Sequence, residues 1–267
     1  MRKLYWGDLT SAEFLALDPQ TTIALLPVAA IEQHGPHLAV STDAVLGEGM
    51  LSEVVSRLPE DLSILILPMM SVGKSNEHIR HPGTLTFSAE TALRMWVELG
   101  ESVYRAGVRK LVFVNSHGGN SDLLAVVTRE LRQRFNMLAV LTQWRRFGVP
   151  AGMYSATDTT HGIHAGDIET SLMLHFRPDR VRLEKIQDFV PHAAQYEQDY
   201  KHLRPVGPHA FGWIASDLNP DGAVGDASRA TAEKGRLTAE HQALGFIELL
   251  RDVAKFPVTD LDPKDAV

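Results

Sequence analysis

Four short apolar runs divide the first half of the chain: Thr22 to Val28, Leu62 to Leu67, Lys110 to Asn115 and Met137 to Thr142. Each is nearly continuous rather than alternating, which predicts strands buried on both faces of a sheet. Pro68 stops the second run. Between the runs the apolar spacing changes to a helical period. From Asp43 to Leu58, positions Gly47, Leu51, Val54 and Leu58 share one face, with Ser41 or Thr42 as the N-cap. Ala89 to Ala106 places Leu93, Val97, Gly100 and Tyr104 in register, and Ser121 to Phe135 does the same with Leu124, Val127 and Leu131. This alternation predicts an α/β fold with a mainly parallel sheet covered on both faces.

The second half is less regular. Arg145 to His164 is rich in glycine, Gly166 to Phe176 predicts a helix, and 177–227 is rich in Pro, His and Gly with little periodicity. A last helix is expected from Ser228 to about Val253. There is no internal repeat, and disorder is expected only in the last few residues. One domain over 1–267 is the simplest organisation, with the irregular stretches as functional loops.

Composition narrows the chemistry. With 267 residues, 44% apolar and 22% charged, the chain is ordinary globular material. A net charge of -7 without a dense basic block argues against a nucleic-acid partner. There are no cysteines, so a thiolate zinc site and a Cys nucleophile are excluded, and any metal must be held by nitrogen and oxygen. Met1 to Asp8 lacks the apolar stretch of a signal peptide, and no run approaches the roughly 20 residues that span a bilayer. A soluble, cytoplasmic protein without a membrane partner is expected.

Four polar clusters stand against this background. Glu32-Gln33-His34-Gly35-Pro36-His37 with Asp43 follows the first strand. Glu77-His78-Ile79-Arg80-His81-Pro82-Gly83-Thr84 comes shortly after the second. Asn115-Ser116-His117-Gly118-Gly119-Asn120 closes the third, and His161 to Thr170, containing His164 and Glu169, opens the later helix. In an open α/β sheet, ligands bind beyond the carboxyl ends of the strands. Neutral imidazoles with carboxylates suit Zn, Mn or Fe. Asp43 or Glu32 could bridge two ions about 3.5–4 Å apart. His37 is an even choice between ligand and structural residue, and so is His78 between orienting a ligand and structure. Glu169 lies on an apolar helix face, where a carboxylate must be paired or coordinated. There is no Gly-x-Ser-x-Gly elbow, P-loop or Gly-x-Gly-x-x-Gly, which counts against serine hydrolase, NTPase and dehydrogenase chemistry.

At these residues the chain resembles the creatininase (creatinine amidohydrolase) family. The Glu-x-His-Gly-Pro-His…Asp, Asn-x-His-Gly-Gly-Asn and His-x-Gly-x-x-Glu-Thr-Ser blocks occur in the family's order between Leu25 and Phe176, with a weaker match at 230–235. The resemblance implies a three-layer α/β/α domain, a homo-oligomer (often a hexamer) and two divalent ions per chain. Glu32 and His117 would hold one ion, His34 the other, and Asp43 would bridge them. His164 matches a histidine that assists by proton transfer.

Two departures argue against creatinine as the substrate. Creatininase carries a glutamate two residues after the third-strand His, where this chain has Gly119, and a tryptophan near the position of Thr160. Glu169 is the candidate replacement ligand, or else a catalytic residue that orients His164. The His-Gly-Gly-Asn form resembles branches that hydrolyse formamides, a precursor peptide or a cyclic keto-sugar. The expectation is therefore a metal-dependent amidohydrolase cleaving a C–N bond of a small cyclic or linear amide. The alternatives are a C–C hydrolase of a cyclic keto-sugar and a non-catalytic metal- or ligand-binding member of the fold. Residues 145–165 and 192–217 are expected to form the substrate pocket.

Overall fold

The computed structural model describes residues 2–262. The expected disorder of the last few residues falls partly outside them. In chain order the elements are α1 (Ser11–Phe14), β1 (Ile23–Val28), α2 (Thr42–Arg57), β2 (Ile64–Ile66), α3 (Ala89–Arg105), β3 (Lys110–Asn115), α4 (Ser121–Phe135) and β4 (Leu138–Gln143). They continue as α5 (Ala156–His161), α6 (Asp167–Phe176), β5 (Asp188–Phe189), α7 (His192–Asp199), α8 (Ala215–Leu218), β6 (Gly225–Asp226) and α9 (Ala232–Lys255).

The first four strands form a parallel sheet in the order β2-β1-β3-β4. Parallel pairing requires a long crossover, and α2, α3 and α4 provide the three that occur here. Side chains alternate across the sheet, so the continuous apolar runs feed two cores. Ile23, Leu25, Val112 and Val114 pack with residues of α2, α6 and α9. Ala24, Leu26, Val28, Leu111 and Phe113 pack on the other side with α3 and α4, around the fully buried Trp96. The fold class is the α/β arrangement expected from the sequence.

The differences lie at element ends. The second strand is shorter than Leu62 to Leu67, because the Leu62 N–H closes a turn onto the Pro59 carbonyl and Pro68 ends the run. β4 starts one residue later than expected, after Asn136 ends α4 in the left-handed conformation, at φ 51°. The last helix starts at Ala232 rather than Ser228, where the Thr231 side chain caps it by accepting the Lys234 N–H. The stretch 177–227, expected to be irregular, contains α7, α8 and the two-residue antiparallel pair β5–β6. These pieces are too short to show a period.

The strand order reverses between β1 and β3, so the loops following those strands diverge and leave a crevice at the carboxyl edge. One expected outcome tests the two-sided core. Trp96→Ala should lower unfolding free energy by about 3–5 kcal/mol in denaturant titration. A loss below about 1 kcal/mol would contradict the packing of α3 against the sheet.

Candidate metal centre

The crevice gathers residues from four loops. Glu32 and His34 follow β1, Asp43 lies in the first turn of α2, and His117 follows β3. His164 and Glu169 flank the start of α6. Glu32, His34 and Asp43 are at most 2% exposed. Buried carboxylates need partners, and imidazoles are placed to serve.

Asp43 occupies the middle. Its Oδ1 lies 3.5 Å from His34 Nε2, and its Oδ2 lies 3.5 Å from His117 Nδ1. Glu32 Oε2 is 3.1 Å from the same His117 nitrogen. Glu169 Oε2 is 3.8 Å from His34 Nε2. Ligand atoms of Glu32, Asp43 and His117 converge within 4.8 Å of one another, and so do those of His34, Asp43 and Glu169. A third such group, Glu32 with His34 and His164, overlaps both. Asp43 is thus common to two candidate sites, one oxygen toward each.

Hydrogen bonds fix the imidazole tautomers in the sense that ligation requires. His34 Nδ1–H donates to the Glu32 carbonyl (3.0 Å), which leaves Nε2 facing Asp43. His117 Nε2–H donates to the Lys74 carbonyl (3.0 Å), which leaves Nδ1 toward Glu32 and Asp43. His164 Nε2–H donates to the Gln33 carbonyl (2.7 Å), which leaves Nδ1 facing Glu32 Oε1 at 3.6 Å. His34 Nε2 and Asp43 Oδ2 are buried without a hydrogen-bond partner. Orphaned buried groups of this kind call for an explanation, and a divalent cation is the one the donor set fits.

The electrostatics agree. Burial opposes charge on Glu32, but the His117 imidazole beside it holds its carboxyl well below the usual range. Burial and the Glu32 charge push Asp43 up to about 6. Against the effect of burial, Asp43 and Glu169 raise His34 to about 9, and Glu32 raises His117. The cluster is built to hold positive charge.

The remaining candidates separate. His37 is fully buried, pairs with Thr170 Oγ1 (3.0 Å) and stacks on Phe189, with ring centroids 5.0 Å apart. It sits away from the cluster, turned there by Gly35 at φ 65°. A Cβ at that glycine would meet the Ala223 Cβ at 2.7 Å. His78, by contrast, belongs to the site, with Nε2 3.4 Å from Glu32 Oε1.

Gln33, unremarked in the sequence, orders both neighbouring rings. Its side-chain N–H groups donate to His78 Nδ1 (2.7 Å) and to the Gly222 carbonyl (2.9 Å), while its backbone carbonyl receives His164. The His34, His164 and His78 rings consequently lie in series, with centroids 4.2 and 4.4 Å apart. Ser75 donates its hydroxyl to Glu32 Oε2. These residues carried no sequence signal beyond their type.

Gly119 has a physical reason. A Cβ there would run into Glu77 Oε1 and come within 2.5 Å of His117 Nε2. Glu77, itself paired with Lys74, lies 3.4 Å from that nitrogen. A side chain at 119 would require Glu77 and the His117 ring to shift, and the carboxylate of Glu169 lies 3.8 Å from His34. Glu169 is held by the Ala165 N–H at 2.6 Å, from a residue at φ 56°. Asn120 ties the loop down, donating to the Ala29 carbonyl and to Asn115 Oδ1 and accepting the Lys74 N–H.

A cavity of about 650 Å³ opens onto the cluster. Lys74 and Arg145 border it, and Phe211 and Trp213 enter from the 205–213 loop. That volume suits a small ligand. Both expected pocket segments contribute. Among the described residues, no helix is long and apolar enough to cross a membrane.

Ligation needs the lone pairs of His34 and His117, whereas the neighbouring carboxylates favour their protonated forms when no ion is bound. Metal uptake at pH 7 should therefore release protons, and apparent affinity should climb as pH rises. Calorimetry in buffers of different ionisation enthalpy measures this; uptake without proton release would contradict it.

The chain is similar to known proteins. The family model described as "Creatininase: Creatinine amidohydrolase" matches residues 7–250. The chain is 33% identical over 236 residues to the mycofactocin precursor peptide peptidase of Mycobacterium tuberculosis (strain CDC 1551 / Oshkosh), covering 86% of this chain and 85% of that one. It is 29% identical over 279 residues to the creatinine amidohydrolase of Pseudomonas putida, covering 97% and 99%. A solved structure titled "Creatininase Mn" superposes with a TM-score of 0.73 at 24% identity, over 98% of this chain and 100% of that one. This chain belongs to the creatininase family and is a hydrolase of that family with a buried His/Glu/Asp candidate metal site.

Proposed function

We propose that this protein is a metal-dependent amidohydrolase that cleaves a C–N bond of a small amide, in a branch distinct from true creatininase. The observation that carries the reading is Asp43, buried between two imidazoles with one oxygen toward each. Two similar proteins act, by name, on a precursor peptide and on creatinine, and in both the bond broken would be an amide. Glu77 standing where a side chain at 119 would begin supports the separation from creatininase itself.

Glu32, Asp43 and His117 would hold one ion, and His34, Asp43 and Glu169 the other. Two divalent ions supply an acidified water and polarise a carbonyl oxygen. The chain's residues do the rest. Asp43 fixes the spacing of the two ligand sets. His164, whose pKa burial and the His34 charge lower to about 4, is neutral and presents Nδ1 to the site. It accepts the proton lost by the attacking water and delivers it to the departing nitrogen. Gln33 keeps the opposite ring nitrogen protonated throughout.

Two variants test the assignment. Glu169→Gln should leave the protein folded but reduce metal content from about two ions to one, as read by elemental analysis. His164→Ala should retain both ions and lose about 10²–10⁴-fold in kcat on a hydrolysable amide. Loss of an ion in His164→Ala would make it a ligand and overturn its role as proton carrier. Cleavage of a cyclic ketone with no turnover in a panel of amides and lactams would overturn the C–N reading.

A further inference from the structure

The large cavity does not end at the ligand cluster. A second, smaller one of about 160 Å³ adjoins it. The two share Ser116, His117, Gly118, Arg145, Ile163 and Glu169, so they adjoin beside the candidate ligands His117 and Glu169. Beyond this junction the walls are largely carbon. Leu46 and Met50 come from α2, Ile168 and Leu172 from α6, and Trp144 follows β4. Leu46, Met50, Trp144 and Leu172 are buried. Three side-chain amides also border the space, and their nitrogens are engaged by the protein, whereas Gln242 Oε1 and the Trp144 indole N–H, at its edge, are buried without a partner. Asn115 donates to the His117 carbonyl, Gln143 to Ser121 Oγ, and Gln242 to the Gly148 carbonyl.

A pocket with carbon walls that opens beside reacting groups selects what hangs from the reacting carbonyl or its nitrogen. Its size corresponds to about six carbons, since an apolar cavity of ~150 Å³ accepts benzene. Well-packed interiors leave few voids of this size. We infer that this side pocket is a specificity subsite for an aliphatic group next to the scissile amide, formed by Leu46, Met50, Ile168 and Leu172. The substrates are then amides bearing a chain of roughly four to six carbons, with the rest of the molecule in the larger cavity. This rests on the amidohydrolase reading for the identity of the bond, but the pocket can be probed without turnover.

The probes are straight-chain hydroxamates, from acetohydroxamate to hexanohydroxamate, titrated calorimetrically into the manganese-loaded protein. Each added methylene buried in the pocket should tighten binding about fourfold, from the usual transfer free energy. The series should level off once the pocket is full. Ile168→Trp projects an indole into the same space from a half-buried helix position. It should leave acetohydroxamate affinity unchanged and abolish the chain-length slope. Leu46→Ala should move the optimum to longer chains, which keeps the test alive should Ile168→Trp misfold. A flat series in the unaltered protein, or a slope surviving in folded Ile168→Trp, would overturn the subsite. A clear slope with no amide hydrolysed would instead count against the amidohydrolase reading alone.

Discussion

Two carboxylates, Glu32 and Asp43, are removed from water within one cluster, and the architecture of the crevice follows from that constraint. Burial opposes the ionisation of both, and the Glu32 charge further opposes that of Asp43. Such groups persist only where positive charge and hydrogen bonds compensate. His117 stands against both carboxylates, and His34 stands against Asp43 and Glu169. Even so, His34 Nε2 and Asp43 Oδ2 make no hydrogen bond. The polypeptide alone leaves the site incomplete, and a pair of divalent ions would satisfy these orphans together with the surrounding excess of acceptors.

The loops are held as tightly as the charges demand. The sheet brings β1 and β3 side by side and lets the chain turn away from them in opposite directions. The turns are then pinned by amides rather than by packing. Asn120 spans Ala29, Lys74 and Asn115, while Gln33 spans His78, Gly222 and, through its backbone, His164. His164 is also paired through its own backbone with Val224, by bonds of 3.3 and 2.7 Å. An imidazole fixed at both backbone and ring can present one chosen nitrogen, which is the property that proton transfer requires. Fixed polar groups around a reacting centre also avoid reorganisation during the reaction.

Much of this was legible in the sequence because the signals were local. The strands show as unbroken apolar runs, the main helices as periodic faces, and the candidate ligands Glu32, His34 and His117 sit shortly after β1 and β3. Glu169 was marked by being a carboxylate on an apolar face, and the structure sets it 3.8 Å from His34. Other features depend on contacts between distant segments and could not be seen. Glu77 reaches His117 across 40 positions, and its carboxylate occupies the space where a Cβ at position 119 would sit. Gln33 is ordinary in type, and its importance comes from which rings fold beside it. His37 lies in the same short motif as His34, yet one left-handed glycine turns it toward Thr170 and Phe189. The elements missed between 177 and 227 are two to eight residues long, below what periodicity can register.

Asp43 is placed to join two ion sites with one oxygen each. Anomalous diffraction from crystals of the manganese- or zinc-loaded protein tests it most directly. Two peaks about 3.5–4 Å apart, one contacted by Asp43 Oδ1 with His34 and the other by Oδ2 with His117, are the expected result. A single peak, or two peaks of which Asp43 touches only one, would contradict the account.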